Sequence, residues 1–189
     1  MYSTAFALVL SVLAATAAAV PPVTVPPVTR PSGVPPRPVV GATAVWPVGP
    51  PRPVVVRGLE PPASAYGPGH RGVDLAAPPG TEVRAAAGGR VSFAGPVAGR
   101  GVLSVTLPDT GTPPLRTTYE PVRPLVRPGA EVAAGQIVAV VAGGARPHCA
   151  AGCLHWGLRR GGVYLDPLSL LPPPLLRRPP SRLLPVRGG

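Results

Sequence analysis

The sequence predicts an all-β fold: a compact antiparallel β-sheet domain, sandwich or partly closed barrel, with disordered proline-rich ends. Three observations predict it. Apolar residues fall in short runs rich in β-branched types and bounded by Gly or Pro turns. No window beyond the N-terminal segment carries a sustained i, i+3, i+4, i+7 apolar stripe. With 32 Pro and 24 Gly among 189 residues, the chain has room for one domain of ordinary size and for segments outside its core.

Taken in order, "GGRVSFAG" predicts a strand over Arg90–Phe93, and "GVLSVTLPDTG" one over Val102–Leu107. "LRTTYEPV" predicts Leu115–Tyr119 and "GQIVAVVAGG" predicts Gln136–Val141. "CLHWGLRRGG" predicts Cys153–Arg159, and "VYLDP" a last short strand. These strands lie in a domain that the composition bounds at residues 46–171.

Outside that domain the chain reads differently. Within residues 1–19 an apolar run from about Ala5 to Ala15 is too short for a spanning helix, which needs about 20 apolar residues, and it leads into Ala17, Ala18 and Ala19. This is the pattern of a secretory signal cut near Ala19, with an uncleaved anchor as the alternative. After cleavage no stable membrane span is expected, and the remainder is secreted or held at the cell wall. Residues 20–45 space prolines too densely for helix or central strand and read as an extended linker. Residues 172–189 repeat that composition with added arginine and read as a disordered tail.

The formal charge of +11 is wholly due to arginine, because the sequence contains no lysine. That excludes a lysine Schiff base, a P-loop lysine and a lipoyl or biotin carrier lysine. The absence disqualifies "GAEVAAGQIVAVV" as a carrier domain. The arginines are scattered and aromatics make up only 4% of residues, which argues for compositional bias and against a nucleic-acid partner. A monomer is expected.

Three histidines and two cysteines carry the chemistry. "GPGHRGVDL" holds His70 and Asp74 in an H-x-x-x-D spacing, a pattern that a loop histidine beside a solvated aspartate also produces. A catalytic zinc site takes three ligands of His, Asp, Glu or Cys type and leaves a fourth position to water, so one more histidine would complete the set. His155 suits it better than His148. Alternation along the predicted strand sends Cys153, His155 and Gly157 to one face and Leu154, Trp156 and Leu158 into the apolar layer. For Cys149 and Cys153, export favours a disulfide clamping a small loop. A separate structural zinc site of His148, Cys149, Cys153 and His155, or free thiols, are the other readings.

The ordered series "GHRGVDLAAPPGTEV", "LRTTYEPV", "GAEVAAGQIVAVV", "CLHWGLRR" and "YLDPLSLL" resembles the lysostaphin and LytM-type zinc metalloendopeptidases, in particular exported versions from high-GC bacteria. The resemblance covers residues 46–171. It implies an antiparallel β-sheet domain, zinc as cofactor, and hydrolysis of peptide cross-links in peptidoglycan. It also implies that His70, Asp74 and His155 are the zinc ligands. The sequence departs from the family at two places. Cys153 stands where the family's H-x-H motif has its first histidine, and Pro121 stands where a Tyr-x-His-like stretch has another. The resemblance implies that histidines at those two places orient the water and stabilise the transition state. Glu120 and His148 are then the local candidates for proton acceptor, although alternation sends Glu120 to the face opposite Tyr119 unless Pro121 bends the strand. A copy without catalysis, acting as a peptidoglycan-binding or hydrolase-regulating protein, is the alternative function.

Overall fold

Short β-branched runs separated by glycine turns can satisfy their backbone groups only by pairing with one another, and the chain does so in two antiparallel sheets. The structure is a computed structural model that describes residues 44–64, 67–143, 149 and 151–177. Among the described residues the strands are β1 (Val55–Arg57), β2 (Gly72–Ala76), β3 (Glu82–Arg84), β4 (Gly89–Val97), β5 (Arg100–Leu107) and β6 (Leu115–Glu120). They continue with β7 (Val122–Pro124), β8 (Glu131–Val132), β9 (Ile137–Val141), β10 (Cys153–Arg160) and β11 (Val163–Leu165). The large sheet runs β1-β2-β10-β6-β5-β4-β8, with β11 paired to β10, and the small sheet runs β3-β9-β7. Among the described residues no closed barrel forms.

Local chemistry sets the turns. The β4–β5 hairpin pairs Val97 with Arg100, leaving Ala98 and Gly99 as a two-residue loop. Both have positive φ, 48° and 79°, the twist that matches the right-handed strands flanking such a loop. The chain passes from the large sheet to the small one at Pro121, between Glu120 of β6 and Val122 of β7. Gly101 makes that passage possible, because a Cβ there would collide with the Val122 carbonyl oxygen.

Alternation builds the core. On β6, Leu115, Thr117 and Tyr119 are buried while Arg116, Thr118 and Glu120 are partly exposed. On β10, Leu154, Trp156 and Leu158 are buried. They pack with Val73 and Leu75 of β2, Leu103 and Val105 of β5, and Val83, Val122 and Val138 of the small sheet. Each such side chain contributes on the order of 1.5–3 kcal/mol by leaving water. Trp156 also satisfies its indole N–H, donating to the Thr117 hydroxyl at 2.8 Å.

The strands expected from the sequence are present, most of them longer by one to a few residues. β1, β2, β3, β7 and β8 were not expected. β2 is short and carries a buried aspartate, so it lacks the uninterrupted β-branched run that marks the others. The packed chain continues past residue 171 into a one-turn helix, α1 (Pro173–Leu176). There the Leu175 carbonyl accepts from the Trp46 indole at 3.2 Å and the Leu176 carbonyl from Arg52 at 2.7 Å. Among the described residues no helix is long and apolar enough to cross a membrane. Residues 1–43 and 178–189, which include the expected signal segment and most of the linker and tail, lie outside the described residues.

Candidate metal centre

β2 and β10 are neighbours in the large sheet, and their register sets Asp74 directly opposite His155. Both side chains leave the sheet on the face away from the core, as alternation with Val73, Leu75, Leu154 and Trp156 requires. His70 arrives from the segment before β2. Its main chain forms an isolated bridge with Glu60, N–H to carbonyl in both directions at 2.8 and 2.9 Å. Its ring Nδ1 donates to the Gly58 carbonyl at 2.6 Å, which turns Nε2 toward β2. The corner that supplies this carbonyl is braced by an exposed ion pair, Arg57 Nε to Glu60 Oε1 at 3.1 Å. The pair holds the Glu60 carboxyl below its ordinary pKa, chiefly through the hydrogen bond from Arg57.

Three donor atoms converge. His70 Nε2 lies 3.0 Å from Asp74 Oδ1 and 3.0 Å from His155 Nδ1, and His155 Nδ1 lies 2.9 Å from the same Oδ1. His70 and Asp74 are buried, and the His155 side chain retains 13% exposure. A neutral His70 that donates from Nδ1 carries a lone pair on Nε2, and an ionised Asp74 only accepts. Lone-pair atoms packed this closely repel unless a proton or a cation lies among them. Two imidazole nitrogens and one carboxylate oxygen form the donor set of a catalytic zinc site with one open position. These residues fit such an ion.

The His155 ring lies over Gly72. A Cβ at that position would stand 2.7 Å from His155 Nε2 and 2.9 Å from Cε1. The sequence reading passed over Gly72 and the Gly58 carbonyl. The first leaves a signal, a glycine inside a strand beside a histidine. The second leaves none, since every residue offers a carbonyl.

Cys149 and Cys153 are joined in a disulfide. The bridge ties the segment before β10 to its first residue and sets Cys149 Sγ 4.0 Å from Asp74 Oδ2, a contact without a thiol proton. With both sulfurs bonded, neither offers a thiolate, and the His155 Nδ1 faces His70 and Asp74. The arrangement is at odds with a separate His148, Cys149, Cys153, His155 zinc site and with free thiols. His148 itself lies outside the described residues.

Glu120 stands opposite His155 on the other flank of β10, so Asp74, His155 and Glu120 form one cross-strand row on the site face. Its Oε1 is 3.5 Å from Arg100 and its side chain is 30% exposed. Tyr119 turns the other way, into the core, where its hydroxyl accepts the Ala86 N–H at 2.9 Å. Burial pushes the Tyr119 pKa up to about 12. Glu120 thus reaches the site face by plain alternation along β6, without any bend at Pro121.

The sequence and fold have known counterparts. Residues 68–167, more than half of the chain, match Peptidase family M23. An uncharacterized protein of Mycobacterium tuberculosis and one of Mycobacterium bovis are each 45% identical over 146 residues, 75% of this chain and 54% of theirs. The chain thus spans about half the length of these relatives. Among solved structures, the catalytic domain of a point mutant of the prophage-encoded M23 protein EnpA from Enterococcus faecalis is similar. It is 28% identical with TM-score 0.51, over 67% of this chain and 96% of that one. Csd3 from Helicobacter pylori is 27% identical with TM-score 0.51, over 76% and 36%. A zinc-containing peptidase from Vibrio cholerae shares the fold, with TM-score 0.55 at 23% identity over 71% and 42%. The chain belongs to peptidase family M23.

Proposed function

We propose that this protein is a secreted zinc metalloendopeptidase that hydrolyses peptide cross-links of bacterial peptidoglycan, with His70, Asp74 and His155 as its metal ligands. The convergence of three donor atoms within 2.9–3.0 Å of one another on the open face of a sheet carries this reading. Membership of a peptidase family supports it. A zinc ion held there supplies Lewis acidity toward an amide carbonyl and toward water. The chain's own residues do the rest. Gly58 and Glu60 fix the His70 ring, β2 and β10 fix Asp74 and His155, and Glu120 offers a carboxylate on the same face to accept a proton.

One observation favours a second reading, a copy that binds wall polymer or regulates another hydrolase without cutting. Cys153 stands in the place of a family histidine and is consumed by a disulfide, and Pro121 takes the place of another. Clearing of cell-wall suspensions by the zinc-loaded protein, beside a His155→Ala variant, decides between the two. The hydrolase reading expects clearing by the wild type alone. Clearing that survives the substitution sinks it, and zinc binding without clearing selects the second reading.

A further inference from the structure

The site face of the large sheet carries a second row of side chains beyond the metal row. Along β10, His155, Gly157 and Arg159 share one face, and along β6, Glu120, Thr118 and Arg116 do. The register pairs Gly157 with Thr118, Thr118 with Ser104, and Gly157 with Gly72. Next to the metal row therefore lies a strip of small residues, Gly157, Thr118 and Ser104, with Gly72 at its end beneath the His155 ring. The following row pairs Arg159 with Arg116, Arg116 with Thr106, and Thr106 with Arg90. Arg159 lies four positions along β10 from His155, a distance of about 14 Å.

Arg116 and Arg159 face each other directly across β6 and β10, an arrangement that costs free energy between like charges. Both are half-buried, and among the described residues neither has a carboxylate within ion-pair distance. Arg90, at the far end of the row, meets Glu131 only loosely, at 3.9 Å, and both are well exposed. That end of the row opens into a cleft of about 500 Å³ whose lining includes Arg90, Thr106, Pro108, Pro114 and the carboxylate of Glu131. Two arginines paired across neighbouring strands, each short of a carboxylate partner among the described residues, have the chemistry to grip one oxyanion between them.

We propose that the Arg159–Arg116–Arg90 row is a substrate subsite that binds a carboxylate of the wall peptide, about 14 Å along the site face from the amide to be cut. The inference rests on the endopeptidase reading, and its test is built to fail separately. Pelleting with insoluble peptidoglycan is measured for the full chain carrying His155→Ala, so that cleavage plays no part. It is repeated with Arg116→Gln and Arg159→Gln added. Three wall preparations serve as probes: untreated, with carboxylates converted to amides, and with phosphodiester-linked polymers removed by acid.

The proposal expects the two arginine substitutions to weaken pelleting on untreated walls by about tenfold or more. It expects amidation to do the same to the chain with intact arginines, and removal of phosphate polymers to change little. Circular dichroism confirms that the arginine variants are folded, and lysine at both positions, which keeps charge but loses the fork, is expected to restore binding only in part. Unchanged pelleting after the substitutions overturns the subsite. Loss on phosphate removal without loss on amidation overturns the carboxylate. If His155→Ala fails to abolish clearing, the hydrolase reading falls while this binding result stands.

Discussion

Gly72 provides the space that the His155 ring occupies: a Cβ there would come within 2.7 Å of Nε2 and would also collide with the Trp156 carbonyl. Gly72→Ala is therefore expected to tilt or displace a metal ligand from the neighbouring strand. Displacement of ligand-orienting groups typically costs 10- to 100-fold in metal affinity, so zinc affinity should fall by about tenfold or more in a competition titration with a chromogenic chelator. Gly58→Ala is the control, because a Cβ there meets nothing within 4 Å and its carbonyl still accepts from His70. Equal zinc affinity in the two variants would show that the glycine does not position His155.

Glu120 and His155 are paired in register, whereas Tyr119 is committed to the core. Removing a proton acceptor typically slows a reaction by about 10²- to 10⁴-fold. Glu120→Gln should lower kcat by at least about a hundredfold with zinc affinity unchanged, since the side chain is no ligand. A fall in zinc affinity matching the fall in activity would make Glu120 a structural neighbour of the site and nothing more.

The Tyr119 hydroxyl has its pKa raised from 10 to about 12, with burial as the main cause. Ionising it costs more in the folded chain than in the unfolded one. Its contribution is whole below about pH 10 and is lost as pH rises toward 12, by roughly 3 kcal/mol over those two units. Urea melts should show that alkaline loss in the wild type and a shallower slope in Tyr119→Phe. The same substitution should cost about 1–3 kcal/mol at neutral pH, because the buried Ala86 N–H loses its acceptor. Parallel alkaline limbs in the two proteins would assign the loss to other groups.

The Cys149–Cys153 bridge closes a very small loop, so its effect on the unfolded chain is modest, about 2 kcal/mol on the loop-entropy account. The double variant Cys149→Ser, Cys153→Ser should unfold at correspondingly lower denaturant. Mass spectrometry of the wild type should show a gain of about 2 Da on reduction. An unchanged mass after reduction would mean that the thiols are free in the purified protein.

Much of this was legible in the residues, and the failures have physical causes. Strands such as Val102–Leu107 and Cys153–Arg159 stood out because a half-buried strand repeats its apolar residues with period two. β2 did not, since Asp74 breaks the run at the position where the fold needs a polar group. Alternation separated Glu120 from Tyr119 but could not say which of them faces the site. A buried Thr117 makes either face of β6 look acceptable, and only pairing with β10 on one side and β5 on the other decides. The three converging side chains were legible because their types are rare in this sequence. The carbonyl that orients His70 was not, because it carries no side-chain signature.

His70 is fastened at three points, by its own N–H, its carbonyl and its Nδ1, all to residues 58–60. None of these bonds involves a metal. The ring is already aimed when an ion arrives, so little conformational freedom remains to be lost on loading. On the proposed zinc reading, the fold itself prepares one of the three ligands, and the cost of aiming that ring is met by backbone contacts and not by the ion.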